Sequence, residues 1–212
     1  MHADKVDLMG ERAALERARA AVEDKLEKLA GLKGGGADAL ADEYIRSVVA
    51  GTIDKFQHDL VMFGRIDDDR PWRVGLYGID SGGDQLVIDW RAPFAQAFYQ
   101  AGFADARGLS RRVSYVGCID DLFVEDFATG EVDGSSPLMG ELSRSRGAEM
   151  RTAVATLQAE QDALVRLDPT ARLVLRGGPG TGKTVVGLHR AAWLVYNDRR
   201  VTAERILVVG PS

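Results

Sequence analysis

Cysteine is almost missing from this sequence, and the one thiol, Cys118, cannot form an internal disulfide. Histidine is nearly as scarce. His2, His58 and His189 stand far apart with no cysteine or glutamate at ligand spacing, which argues against a structural zinc site. No run approaches the roughly 18 apolar residues of a membrane span, and no signal-peptide pattern is present, so the chain reads as cytoplasmic with no membrane partner. Positive charge is not in excess either. Lys plus Arg number 27 against 32 for Asp plus Glu, a net charge of −5, so no basic field covers the whole molecule and any nucleic-acid contact must be local. What is present is 212 residues, 45% hydrophobic and 28% charged, enough to fold as two small globular units.

From Ala3 to Ala30 good helix formers dominate, and Leu8, Leu15, Val22 and Leu29 recur every seven residues, so one long helix is expected. The companion positions, Arg12, Arg19 and Leu26, are mixed, which favours an antiparallel partner over a parallel zipper. Gly31 to Gly36 reverses the chain, and Leu40, Tyr44, Val48, Val49, Ile53, Phe56 and Leu60 return at helical spacing. Residues 1–60 therefore read as a helical hairpin, a coiled-coil arm that either packs on a core or protrudes towards a partner. Gly51 weakens its second helix.

Beyond it the period shortens to that of strands, Met62 to Ile66, Trp72 to Ile79, Gln85 to Trp90, Arg112 to Val116 and Leu122 to Phe127, separated by turn residues. Residues 61–132 thus form a small antiparallel β region, a meander, in which Asp67-Asp68-Asp69 is read as turn chemistry and not as a cation site. Residues 133–147 read as a linker. A helix from Ala148 to about Leu167, ended by Asp168-Pro169, opens the last unit, 148–212.

That unit carries the decisive motif. An expected strand, Arg172 to Arg176, leads into Gly177-Gly178-Pro179-Gly180-Thr181-Gly182-Lys183-Thr184, which satisfies G-x-x-x-x-G-K-[ST], the P-loop or Walker A pattern. Glycines let the backbone N–H groups turn inward around phosphate, and the following helix points its positive end at the same place. Lys183 should reach the β and γ phosphates of ATP, and Thr184 should offer a hydroxyl ligand to Mg²⁺. Val185, Val186, Leu188, Ala192 and Val195 are expected to form the buried stripe of that helix, with His189 a packed residue and not a catalyst. Ile206 to Val209 reads as a second buried strand before Gly210-Pro211-Ser212. The expected fold is α/β, the start of a parallel RecA-like domain that is incomplete. With no acidic pair after a later strand, it should bind nucleotide at most and not turn it over. Lys183 and Thr184 are the candidate catalytic residues and Thr184 the candidate metal ligand. Gln161, in Thr156-Leu157-Gln158-Ala159-Glu160-Gln161, is placed to read adenine, because an amide offers one donor and one acceptor to its N6 and N7 edge.

With the P-loop, Gln161 resembles the Q motif of superfamily 1 helicases. The resemblance sharpens through Phe63-Gly64-Arg65-Ile66-Asp67, Val87-Ile88-Asp89-Trp90-Arg91-Ala92-Pro93 with Phe98-Tyr99, the Gln161 and Gly177 to Thr184 segments, and Leu207-Val208-Val209-Gly210-Pro211, in this order. Together they are similar to HelD, the helicase-like ATPase that binds bacterial RNA polymerase, over nearly all of the chain from about residue 40. The resemblance implies an N-terminal hairpin that enters the polymerase's secondary channel and a two-domain ATP-driven motor that helps release polymerase from nucleic acid. It implies an ATP site of Gln161, Gly177, Gly178, Pro179, Gly180, Thr181, Gly182, Lys183 and Thr184.

Against that family pattern, the acidic Mg²⁺ motif, the second RecA-like domain and the clamping insertions are absent, so contact with DNA would belong to the missing motor part. The hairpin tip, Gly31 to Gly36, has no carboxylate, so docking without Mg²⁺ chemistry in the channel is expected. Two further readings stay open: a fragment of a DNA repair helicase, which needs no long hairpin before its Q motif, and a non-catalytic polymerase-binding module with a vestigial P-loop. Asp89 and Arg91 read as a structural ion pair, and the sequence leaves open whether Trp72 and Trp90 pack or face a partner.

Overall fold

A computed structural model describes residues 6–31, 47, 50–52, 61–134, 155, 157–178 and 180–209. The first helix, α1 (Leu8–Gly31), starts later than its helix-forming composition suggests. Asp7 stops it, because the Asp7 carboxylate accepts hydrogen bonds from the N–H groups of Met9 (3.1 Å) and Gly10 (3.0 Å), as an N-cap does. Its buried face is Glu11, Ala14, Leu15, Ala18 and Val22, which stand three or four residues from one another along one helical stripe, as a face kept on a neighbour does. The expected return helix from Leu40 to Leu60 lies outside the described residues except at 47 and 50–52, so the hairpin itself is not described.

Among the described residues the neighbour is a sheet of seven strands: β1 (Met62–Asp67), β2 (Pro71–Gly75), β3 (Ile79–Ser81), β4 (Asp84–Asp89), β5 (Arg111–Val116), β6 (Asp121–Asp126) and β7 (Glu131–Asp133). Their order is β3-β4-β2-β1-β5-β6-β7. The meander expected from the sequence is corrected in two respects. The run from Trp72 to Ile79 is two strands, and β2 pairs in parallel with β4 through Val74↔Ile88 and Gly75↔Asp89. At Gly75 the chain runs close against β1, where a Cβ would stand 1.9 Å from the Val61 carbonyl oxygen, and the hydrogen bond from Leu76 N–H to that oxygen (3.3 Å) is the last of this contact before β3. The short β7 follows the Thr129-Gly130 turn and was not expected.

Successive residues of a strand point to opposite faces of the sheet, so every second residue shares one. Val87, Val113 and Tyr115 face α1, and with Ala14, Leu15, Ala18, Val22, Met62 and Ile79 they form one apolar cluster. Phe63, Ile66, Val74, Ile88 and Trp90 face the other way. An antiparallel sheet commonly leaves one face to water. Here both are covered, and that is why Met62, Phe63, Ile66, Val74, Val87 and Val113 are all buried.

A buried ionic network ties α1 to the sheet. Glu11, 2% exposed, accepts from Arg65 Nη1 (2.8 Å), Arg73 Nε (2.9 Å) and Tyr115 OH (2.5 Å). Arg65 also donates to both oxygens of Asp67, at 2.6 and 2.8 Å. Burial opposes the charged form of Glu11, but Tyr115, Arg73 and Arg65 outweigh it and hold the carboxyl below its ordinary value.

The second face is covered by a 3₁₀ turn (Pro93–Ala95) and three helices, α2 (Gln96–Gln100), α3 (Ala159–Val165) and α4 (Lys183–Asn197). Phe63 meets Phe98 of α2 edge to face at 5.4 Å, and Leu157, Val165 and Val186 join the same core. Arg112 Nη1 donates to the carbonyls of Phe98 and Ala101, both at 2.9 Å, and so satisfies the end of α2. Trp90 is a core residue. Trp72 is half-buried against Phe94, with its indole N–H donating to Asp68 at 3.0 Å within the turn that the aspartates build.

Three further expectations are corrected. The helix predicted from Ala148 is, in the described part, confined to Ala159–Val165, because Leu157 and Gln158 are not helical and Gln158 caps it. Arg172 to Arg176 and Ile206 to Val209 are not strands. Val174 is 79% and Leu207 85% exposed, and a β-prone run with no partner strand among the described residues gains nothing by extending. The parallel RecA-like sheet is therefore not formed among the described residues.

Candidate nucleotide site

The glycine-rich turn is framed by α3 and α4. At the start of α3, Gln158 and Gln161 form a capping box, with the Gln158 N–H donating to Gln161 Oε1 at 3.2 Å. Glu160 and Asp162 place negative charge in the first turn, where the helix dipole favours it. At the other end Arg190 of α4 donates to the carbonyls of Val165 (3.1 Å), Leu167 (3.0 Å) and Asp168 (2.9 Å). One guanidinium thus closes the C-terminus of α3 onto α4.

The chain then runs to Gly177 and turns. Thr181 Oγ1 donates to Gly178 O at 3.0 Å, and Lys183 Nζ donates to Gly177 O (2.9 Å) and Gly178 O (2.5 Å). Gly180 and Gly182 have φ of 76° and 79°, the left-handed region that side chains rarely enter, and Gly182 caps α4 in that conformation. A Cβ on Gly182 would lie 2.9 Å from Gln161 Nε2, so the amide of Gln161 stands against the turn. Folding therefore brings together Gln161, Gly177, Gly178, Thr181, Gly182 and Lys183. Gly180 lies in the turn, Thr184 is exposed on the first turn of α4, and Pro179 lies outside the described residues. The stripe expected on α4 is corrected: Val186 is buried with His189 and Arg190, whereas Val195 is 38% exposed.

The other side of the site is the turn that follows β4. Asp89 and Arg91 form the structural pair expected of them, at 2.6 and 2.8 Å. Trp90 meets His189 of α4 edge to face at 5.3 Å. His189 is a packed residue: its Nδ1 lies 2.7 Å from Val185 O, and burial pushes its pKa down, which keeps the ring neutral. Arg166, just past α3, donates to Trp90 O (2.6 Å), Ala92 O (3.2 Å) and Asp162 Oδ1 (2.7 Å). Asp162 also accepts from Gln100 of α2 at 2.8 Å. Burial raises the carboxyl of Asp162 above its ordinary value, and Arg166 and Gln100 offset this only in part. Asn197, at the end of α4, donates to Arg91 O at 3.1 Å.

Read from sequence, Arg166, Arg190 and Gln100 have no role, and Asp162 has only a place at the end of the motif that carries Gln161. The available signal was the i, i+4 spacing of Asp162 and Arg166 on a helix whose other inward residues are apolar. Among the described residues no group of three or more His, Cys, Asp or Glu side chains is arranged to hold a metal ion. No helix of the described residues is long and apolar enough to cross a membrane.

The family model for the N-terminal domain of DNA helicase IV HelD matches residues 1–118, more than half of the chain. The match spans α1, the Glu11 network and the Asp89–Pro93 turn, and ends before α3. No curated protein matches the chain.

Proposed function

The chain belongs to the HelD family, and we propose that it binds ATP with Mg²⁺ on its glycine-rich turn while its N-terminal helical arm engages RNA polymerase, in support of the polymerase's release from nucleic acid. One observation carries the nucleotide half. The amide of Gln161 and the ammonium of Lys183, 22 residues apart in sequence, meet on the same turn. Glycine at two positions of the turn supports the reading: a Cβ at Gly177 would come within 2.7 Å of Thr181 Oγ1, and one at Gly182 within 2.9 Å of Gln161 Nε2. In this reading Lys183 gives up its carbonyl partners for phosphate oxygens. Thr184 offers its hydroxyl to a Mg²⁺ that arrives with the nucleotide and keeps mostly water and phosphate ligands. Binding is assigned and turnover is not.

Titration calorimetry of Mg·ATP into the full chain and into Lys183→Ala tests this. The variant should keep its fold and lose about tenfold or more in affinity, as expected for a lost charge-assisted contact. Equal affinities would refute the site.

The polymerase half rests on the family resemblance of the arm. Capture of purified RNA polymerase by the full chain supports it, and no capture at low salt sinks it. A second reading, duplex DNA as the partner, is favoured by the helicase named in the family description. Against it stands the net charge of −5. DNA binding that weakens steeply with salt would restore it.

A further inference from the structure

We propose that Asp162 and Arg166 are positioning residues that fix Gln161 against the glycine-rich turn, so that the Asp89–Pro93 turn of the N-terminal sheet sets the base selectivity of the nucleotide site. The inference rests on the reading of Gln161 as the adenine-facing group. Helix α3 has only seven residues, too few to hold a shape alone in water, so its position is set by what anchors it.

Those anchors converge on the residue next to Gln161. Asp162 is 0% exposed and takes one hydrogen bond from Arg166 (2.7 Å) and one from Gln100 (2.8 Å). Arg166 in turn grips the backbone of the Asp89–Pro93 turn through Trp90 O (2.6 Å) and Ala92 O (3.2 Å). α4, which carries Lys183, is held to the same turn by His189 against Trp90 (5.3 Å) and by Asn197 on Arg91 O (3.1 Å). The base reader and the phosphate reader are thus registered on one piece of sheet backbone. Among the described residues Gln161 itself has the capping contact with Gln158 and its place against Gly182. That arrangement leaves its amide one acceptor lone pair and an N–H for N6 and N7 of adenine, whereas guanine presents an acceptor oxygen where the amide oxygen would stand.

A guanidinium reaches a carboxylate and two carbonyls at once because its donors are forked, and a lysine ammonium keeps the charge but not the fork. Arg166→Lys in the full chain therefore loosens α3 without removing the ion pair with Asp162. The probes are methylanthraniloyl-labelled ATP and GTP, with Lys183→Ala and Gln161→Ala as controls. The wild-type chain should prefer ATP by about tenfold, within the range expected for one bidentate amide contact, and Gln161→Ala should erase that preference. Arg166→Lys should cut the preference by about fivefold while GTP affinity stays within about twofold, since the phosphate contacts do not pass through Arg166.

An Arg166→Lys protein that loses thermal stability but keeps full ATP preference, or loses both affinities equally, overturns the proposal and leaves the nucleotide reading intact. A wild-type chain that binds neither probe, or binds them as well after Lys183→Ala, overturns the nucleotide reading itself. If Arg166→Lys fails to fold, Gln100→Ala decides: it frees one oxygen of Asp162 from the side of α2 and should show the same split at smaller size, and an equal loss for both nucleotides refutes the positioning role.

Discussion

The sheet and the segments around the glycine-rich turn are built from similar apolar residues, yet their fates are opposite. Val74, Val87 and Val113 are wholly buried in strands, whereas Val174, Leu207, Val208 and Val209 stand exposed in irregular chain. Val and Leu have the same intrinsic preferences in both places, so preference does not decide. What differs is the neighbour. Each central strand has two partners, as β1 has β2 and β5, and helices cover both faces. A β-prone run becomes a strand when another backbone completes its hydrogen bonds and a second layer dries its side chains.

The sharpest way to break this contrast is inside the sheet, at its charged centre. Glu11→Ala leaves Arg65 and Arg73 without the carboxylate they share and should cost about 4 kcal/mol, the usual penalty for orphaning a buried charge, measured by urea unfolding at neutral pH. A loss below about 1 kcal/mol would mean that the arm is not anchored there. Gly75→Ala comes next. Its Cβ would meet Val61 O at 1.9 Å, and moving β1 and β2 apart should cost about 3 kcal/mol in the same assay.

Acid sharpens the comparison in another way, because the two buried carboxylates titrate with opposite sign. Glu11 is held below its ordinary value of 4.5, so its contribution is complete above that pH and is lost as pH falls through the depressed value. Asp162 is held above its ordinary value, so the stability it gives belongs to the protonated form and is lost as pH rises through the raised value. Glu11→Gln should therefore flatten the fall in stability on acidification, by at most about 1.4 kcal/mol per pH unit, and Asp162→Asn should steepen it. Identical pH profiles for the two variants would contradict the assignment. The smallest effect is expected at the exposed runs: Leu207→Thr should move stability by no more than about 0.5 kcal/mol, and a larger loss would show that Leu207 is covered in solution.

Much of the β region was legible because turn residues bracket each strand and the period of two is clear, so β1, β4, β5 and β6 begin and end within one residue of their expected limits. The parallel pairing of β2 and β4 was not legible, since it joins Val74 and Gly75 to Ile88 and Asp89 across the whole of β3 and no local pattern encodes that order. Heptad reading found Leu15 and Val22 on the buried face of α1, yet it passed over Glu11, whose burial depends on two arginines and a tyrosine from other strands. At the candidate site the glycines and Lys183 were legible as a motif. The Asp162–Arg166 pair shows in the sequence only as i, i+4 spacing, and its grip on Trp90 O and Ala92 O was not legible, because backbone carbonyls carry no sequence signature.

The span between Glu11 and its last partner also has a history in time. Tyr115 lies 104 residues after Glu11. At the pace of translation, about 5–20 residues per second, the carboxylate leaves the ribosome roughly 5–20 s before the phenol that completes its site exists. α1, made before the sheet, can thus complete its docking only after β5 has been made. Until β5 emerges, the apolar stripe of α1 is a nascent surface in search of a chaperone, and the rate at which the arm becomes protease-resistant should track the synthesis of β5 and not that of α1.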